Sequence, residues 1–254
     1  MRWFNNNANQ EDHRKRDFAT QGHLSERARR HLFQMYGHLF VTAVCALLAC
    51  HLHMTGTFVI QSPMLVGGLA VGSLLSIQYG RRFIPNRHVR QLLLYGFGFV
   101  QGSSIAPLVS DIYAFDPRAM YNALLNTLVL FGAFSMTALM MPRRSMFFVV
   151  GLLVGGLLCL IVTAIFGIFF NYSINDNILL QLGVFLFAMM VTMDTQTAID
   201  NVERDPSTAD PVHDAAGMLV NILAMLRRLM VLSAIQARDD RENRRREKKS
   251  RRDL

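Results

Sequence analysis

The sequence predicts an all-α, polytopic membrane protein, with six transmembrane helices around a seventh that is either central or re-entrant. Three observations predict it. Apolar stretches of about 20 residues, the length that crosses a bilayer core, recur along most of the chain. The breaks between them are short and hold most of the prolines. Charge is concentrated at the ends. The chain has 254 residues, 52% of them hydrophobic, and a formal net charge of +8. Residues 1–31 hold seven basic and four acidic residues, 238–254 hold nine and five, and 32–237 hold ten and nine. The basic balance therefore belongs to the two ends, which excludes a basic soluble domain and a nucleic-acid partner. The implied partner is membrane lipid.

The first span, at about 32–54, follows a polar segment, so it is expected to serve as the insertion signal in place of a cleaved peptide. A break at 55–56 leads to the second span, about 57–79, and 80–90 with Pro85 leads to the third, about 91–110. Residues 111–119 with Pro117 precede the fourth, about 120–141. After 142–145 comes the fifth span, about 146–170, and after 171–177 the sixth, about 178–198. Residues 200–213, with Pro206 and Pro211, lead to a weaker seventh at about 215–236. Breaks this short leave no room for a separate soluble domain. The chain divides into a basic N-terminal segment (1–31), a helical bundle (32–237) and a basic tail (238–254). The tail lacks apolar periodicity and is expected to be disordered, acting as a topology signal or an anionic-lipid patch. Small residues at helix-packing spacing (Gly68 and Gly72, Gly98 and Gly102, Gly151 and Gly155) are expected to let helices approach closely.

Lys and Arg cluster before the first span and in the second, fourth and sixth loops. The first and fifth loops have none, and the third has only Arg118. That alternation places the N-terminus in the cytosol. Seven full crossings would then carry the basic tail to the far side, against the same rule. The seventh segment, AAGMLVNILAMLRRLMVLSAIQ, holds Arg227 and Arg228 in its middle. Each central arginine costs about 2.5–3.5 kcal/mol on the insertion scale. The segment is thus expected either to re-enter as a hairpin, which the charge rule favours, or to be enclosed by the other helices with its charges paired.

Intramembrane ionisable residues are the informative ones, because they are costly to keep in lipid. Asp194 lies well inside the sixth span and is followed by Thr195 and Gln196. Its candidate partners are Asn221, Arg227 and Arg228. Asp214, Asn221 and Arg228 are spaced by seven, so they form one polar stripe on the seventh helix. The cysteines Cys45, Cys50 and Cys159 lie within spans without CxxC spacing, and read as small packing residues. His51 and His53 read as interfacial polar residues, and Ser103 and Ser104 as hydrogen-bonding groups between helices. No hydrolase, nucleotide-binding or metalloprotease motif is present, so neither an enzyme nor a resident cofactor or metal is expected.

The segment MDTQTAID (193–200), the polar loop with His213, LRRLMVLSAIQ (226–236) and the basic tail together resemble the Bax inhibitor-1 family. HVRQLLLYGFGFVQGSSIAPLVSDIYAFDP (88–117) resembles its third span, with Arg90, Gly102 and Pro107 at the family spacing. PRRSMFFVVGLL (142–153) and RRHLFQMYGHLF (29–40) resemble the approaches to its fifth and first spans. The resemblance covers about 29–237, and the tail favours the endoplasmic reticulum branch. It implies six helices around a central seventh, and a calcium-permeable leak in the endoplasmic reticulum membrane. It also implies suppression of Bax-induced cell death and damping of unfolded-protein-response signalling, with apoptosis regulators and stress-signalling membrane proteins as partners.

In the family, two aspartates on the sixth and seventh helices share a proton and close the path. The first corresponds to Asp194. Anchoring on Arg227, Arg228, Leu229 and Met230 puts the second at position 221, where this chain has Asn221. Two close carboxylates titrate in two coupled steps. An aspartate–asparagine pair still hydrogen-bonds, but offers calcium one charge where the family offers two. A weaker or differently pH-gated calcium path is expected, with Arg90, Asp214, Arg227 and Arg228 as a surrounding polar network. The competing reading is a non-conducting membrane scaffold that acts by binding proteins.

Overall fold

Seven helices carry the described residues: α1 (Glu26–Met54), α2 (Pro63–Phe83), α3 (Arg87–Phe115), α4 (Pro117–Met140), α5 (Met146–Phe170), α6 (Asp176–Arg204) and α7 (Pro211–Ser250). The structure is a computed structural model that describes residues 25–57, 62–84, 86–141, 146–170, 176–207 and 209–250, and among these there is no strand. Most of the basic N-terminal segment, together with Pro85 and the loop holding Arg143 and Arg144, lies outside the described residues. Six of the helices are long and apolar enough to cross a membrane. In α2 the apolar stretch is Met64–Tyr79, within a helix of 21 residues, about 31 Å at 1.5 Å per residue.

The helix starts follow from local chemistry. Ser25 accepts from the Ala28 amide at 3.1 Å and Asn86 from the His88 amide at 3.1 Å, each satisfying an otherwise orphaned donor. Two starts use an aspartate followed by proline. Asp116 accepts from Arg118 N at 3.0 Å before α4, and Asp210 from Val212 N at 3.1 Å before α7. Proline at the first helical position loses no helical hydrogen bond, and its fixed φ suits the turn. α1 ends where Gly56 takes φ 70°, with its amide and that of Thr57 closing onto His53 and Leu52 carbonyls.

Contacts fix the direction of each helix. Arg87 Nη2 donates to Gln34 at 3.0 Å, and His31 meets Asp214, so α1, α3 and α7 begin at the same end. Arg241, late in α7, reaches the carbonyl of Phe115 at the end of α3. α6 runs the other way, since Thr195 near its end meets Tyr36 near the start of α1. The most extensive contact is between α1 and α3. There Gly98 and Gly102 sit directly on α1, and a Cβ at either position would strike Thr42 or the backbone of Ala46. The other glycine pairs correct the expectation: Gly68, Gly72, Gly151 and Gly155 have no neighbour within 4 Å on their Cβ side. Spacing alone does not say which face meets a helix and which meets lipid.

α7 is the central helix. From Pro211 to Ile235 none of its residues is exposed, and it touches α1, α2, α3, α4 and α6. The outer helices instead present large apolar side chains such as Phe40, Leu47, Leu128 and Phe147. α7 runs without a break through 211–250, so the hairpin alternative is not what forms. Its arginines are half-buried and each has a protein partner, which reduces the lipid-exposure cost that argued for re-entry. The tail is also corrected. Residues 238–250 continue α7 as helix, where disorder was expected. Arg241 ties the extension to the end of α3.

Candidate functional site

Asp194 and Asn221 meet near the middle of the bundle, one from α6 and one from α7. Asn221 Nδ2 donates to Asp194 Oδ2 at 2.6 Å, a short charge-assisted bond. Asn221 is only 7% exposed. It is the one hydrogen-bond partner of Asp194 among the described residues. Along α7 the pair lies between two apolar clusters: Met218 and Leu219 on the side of the helix start, Met225 and Met230 beyond. A small polar centre is thus closed off by apolar side chains in both directions.

The arginines do not join it, contrary to one of the expected pairings. Arg227 Nη2 donates to Ser104 Oγ of α3 at 2.8 Å. Arg228 donates to the Ala224 carbonyl of its own helix at 3.2 Å, and its guanidinium lies 4.4 Å from the centroid of the Phe187 ring. Gly183 provides the space for it, since a Cβ there would collide with the Arg228 side chain. Of the two serines, Ser104 makes the interhelical bond, whereas Ser103 donates to Phe99 within α3. Cys45, Cys50 and Cys159 are free thiols.

Asp214 has a different partner from Asp194. His31 Nε2 lies 2.7 Å from Asp214 Oδ2, with the two side chains only 8% and 11% exposed. Arg90, also buried, pairs with Asp210, the residue that caps α7. The first two turns of the central helix are therefore held by one ion pair to α3 and one histidine–carboxylate contact to α1. The polar stripe on α7 divides its members between two neighbours: Asp214 to α1, Asn221 to α6, and Arg228 to the Phe187 ring of α6 and its own backbone.

His31, Tyr36, Thr195, Gln196 and Asp210 join this network without having been singled out from sequence. Tyr36 and Thr195 hydroxyls lie 3.2 Å apart, one residue beyond Asp194. Gln196 donates to the Ala138 carbonyl and, at 3.2 Å, to that of Met141, fixing α6 against α4. The aspartate–proline step at 210–211 signalled a helix cap, but nothing local signalled that the same carboxylate would hold Arg90.

Chemically, the pair has three oxygens to offer a cation, two from Asp194 and one from the Asn221 amide. Calcium takes six to eight, so water would complete its shell. The amide both donates and accepts. It bonds an ionised Asp194 through its NH₂, and after reorientation bonds a protonated Asp194 through its oxygen. The contact therefore survives a change of protonation, whereas a carboxylate pair loses its hydrogen bond once both groups are ionised.

Comparison with known proteins agrees with this architecture. Residues 28–239 match the family described as inhibitor of apoptosis-promoting Bax1. The chain is 27% identical over 226 residues to Bax inhibitor 1 of Drosophila melanogaster, covering 87% of this chain and 89% of that protein. It is 26% identical over 224 residues to Bax inhibitor 1 of Homo sapiens, covering 87% and 92%. With Bax inhibitor 1 of Oryza sativa subsp. japonica it shares 26% identity over 159 residues, 62% of this chain. A match over most of the length, on an all-helical chain with six apolar helices, makes this multi-pass membrane protein a member of the Bax inhibitor-1 family.

Proposed function

We propose that the protein is a multi-pass protein of the endoplasmic reticulum membrane, with its N-terminus in the cytosol, that suppresses cell death by letting calcium leak from the lumen and damping the unfolded protein response. The observation that carries the proposal is the Asp194–Asn221 bond at 2.6 Å, at the centre of the bundle. Along α7 it has apolar side chains on either side. Asp194 is the cation ligand in this reading, and Asn221 is the fixed partner that closes the path. Calcium is a passing ion, with no resident cofactor and no catalysed reaction. Asp194 is the one group of the pair that titrates, so the leak is expected to fall in a single step as Asp194 takes up a proton.

The test is calcium flux from liposomes holding the purified protein, followed from pH 6 to 8. Wild type is expected to show slow flux that falls in a single step as the pH drops. Asn221→Asp is expected to spread that profile into two steps, because two close carboxylates titrate in coupled steps. Asp194→Asn is expected to abolish flux. An unchanged profile in Asn221→Asp would remove Asn221 from the gate. Silence in wild type and Asn221→Asp alike would support the scaffold reading, in which the protein acts by binding apoptosis regulators through its spans and tail. Survival of cells challenged with Bax, with and without Asp194→Asn, then tests whether flux and protection go together.

A further inference from the structure

At the far end of the molecule, where α3 turns into α4, a cavity of about 730 Å³ opens between the first turns of α4 and the C-terminal half of α7. Its volume falls within the roughly 300–1,000 Å³ of small-molecule sites. Two sets of polar side chains line it. Towards the helix ends are the guanidinium groups of Arg118, Arg241 and Arg244, with the carboxylates of Asp116 and Asp240. One to two turns further into the bilayer stand neutral groups: Asn122 and Asn126 on α4, Ser233 and Gln236 on α7.

The cations are not equivalent. Arg241 is committed, donating to the Phe115 carbonyl at 2.8 Å, lying 3.5 Å from Asp116, and stacking 4.3 Å from the Phe115 ring centroid. Arg118 and Arg244 have no ion pair among the described residues, nor do the side chains of Asn122, Asn126, Ser233 and Gln236 have a hydrogen-bond partner there. The cavity thus holds two uncommitted cations beside a wall of uncommitted neutral donors and acceptors. Three arginines against two aspartates leave one positive charge. That balances the single charge of a phosphodiester, and falls short of a free phosphate dianion. Leu125 and Val129 of α4 are exposed apolar residues one turn from Asn122 and Asn126. An apolar surface suited to acyl chains begins where the polar cavity ends.

We propose that this cavity binds the head group of an anionic phospholipid. The phosphodiester sits between Arg118 and Arg244, a polyhydroxylated head group faces Asn122 and Asn126, and the acyl chains follow the outer surface of α4. Guanidinium groups suit phosphate because their planar donors bond it in pairs.

Native mass spectrometry of the full chain in detergent, titrated with phosphatidylinositol, tests the site. Arg118 and Arg244 are exposed, so replacing them leaves the packing intact. The double variant Arg118→Gln/Arg244→Gln is expected to bind phosphatidylinositol at least about tenfold more weakly. Arg245→Gln/Arg246→Gln, which removes equal charge from the same helix outside the cavity, is expected to stay within about threefold of wild type. Asn122→Leu/Asn126→Leu keeps every charge, and is expected to bind phosphatidic acid as wild type does while losing preference for phosphatidylinositol. Inorganic phosphate in excess is expected not to displace the lipid. Equal losses in the two arginine pairs would reduce the site to diffuse attraction by the basic helix and overturn the proposal. So would displacement by inorganic phosphate, or an inositol preference that survives loss of the asparagines.

Discussion

At the scale of single residues, the molecule places each costly polar group against a particular partner. His31 and Asp214 show what that placement is worth. Both are nearly buried, and each leaves the other uncompensated if removed. His31→Leu is expected to destabilise the protein by about 3–5 kcal/mol, the usual cost of stranding a buried charge. Adding Asp214→Leu should restore most of that, because an apolar pair of similar volume has no charge to desolvate. Thermal unfolding of the purified single and double variants reads this directly, and a double variant no better than the single one would show that the contact is not the cause. Asn221 was legible in the sequence because it stands at a fixed distance from Arg227 and Arg228. The His31–Asp214 contact was not, since 183 residues separate the partners and each looks like an ordinary end-of-helix polar residue. Arg228 was misleading for a related reason. A charge in a span suggests a counter-charge, yet here an aromatic ring and a backbone carbonyl take that place.

At the scale of elements, length and hydropathy located every helix, because crossing a bilayer demands about 20 apolar residues whatever the tertiary structure. Ends were less legible, because polar residues extend helices beyond the apolar stretch. Hence α6 reaches Arg204 and α7 reaches Ser250. The helical tail escaped a reading based on apolar periodicity, since its support is the grip of Arg241 on the end of α3. Glycine spacing was half-informative. Of the pairs singled out, Gly98 and Gly102 alone form a helix contact among the described residues. Gly102→Val is expected to cost about 1–3 kcal/mol, because its side chain would push α1 from α3 at the Ala46 backbone. Gly72→Val, with open space around it, should change stability by less than about 0.5 kcal/mol. Denaturant titration of the two variants in the same detergent separates these outcomes. A similar loss in both would mean that helix propensity rather than interhelical distance governs.

At the scale of the whole molecule, helix directions put the start of α1 and the end of α7 on opposite faces, whereas the charge rule puts both basic segments on one. Partners within the bundle resolve the conflict. α7 crosses because Arg227 and Arg228 are half-buried against Ser104 and Phe187, which reduces the penalty that a charge count assigns to them. Protease treatment of sealed vesicles should therefore cleave an N-terminal tag and a C-terminal tag from opposite sides, and cleavage of both from one side would contradict the directions of the helices. The central position of α7 also carries a consequence for how the protein is made. The helix that fills the middle of the bundle leaves the ribosome after the six others. Until it arrives, His31, Ser104 and Asp194 face an unfilled interior, because each finds a partner on α7. The nascent six-helix chain is thus a ring awaiting its axle, and truncation before α7 should produce a form that membrane quality control recognises and removes.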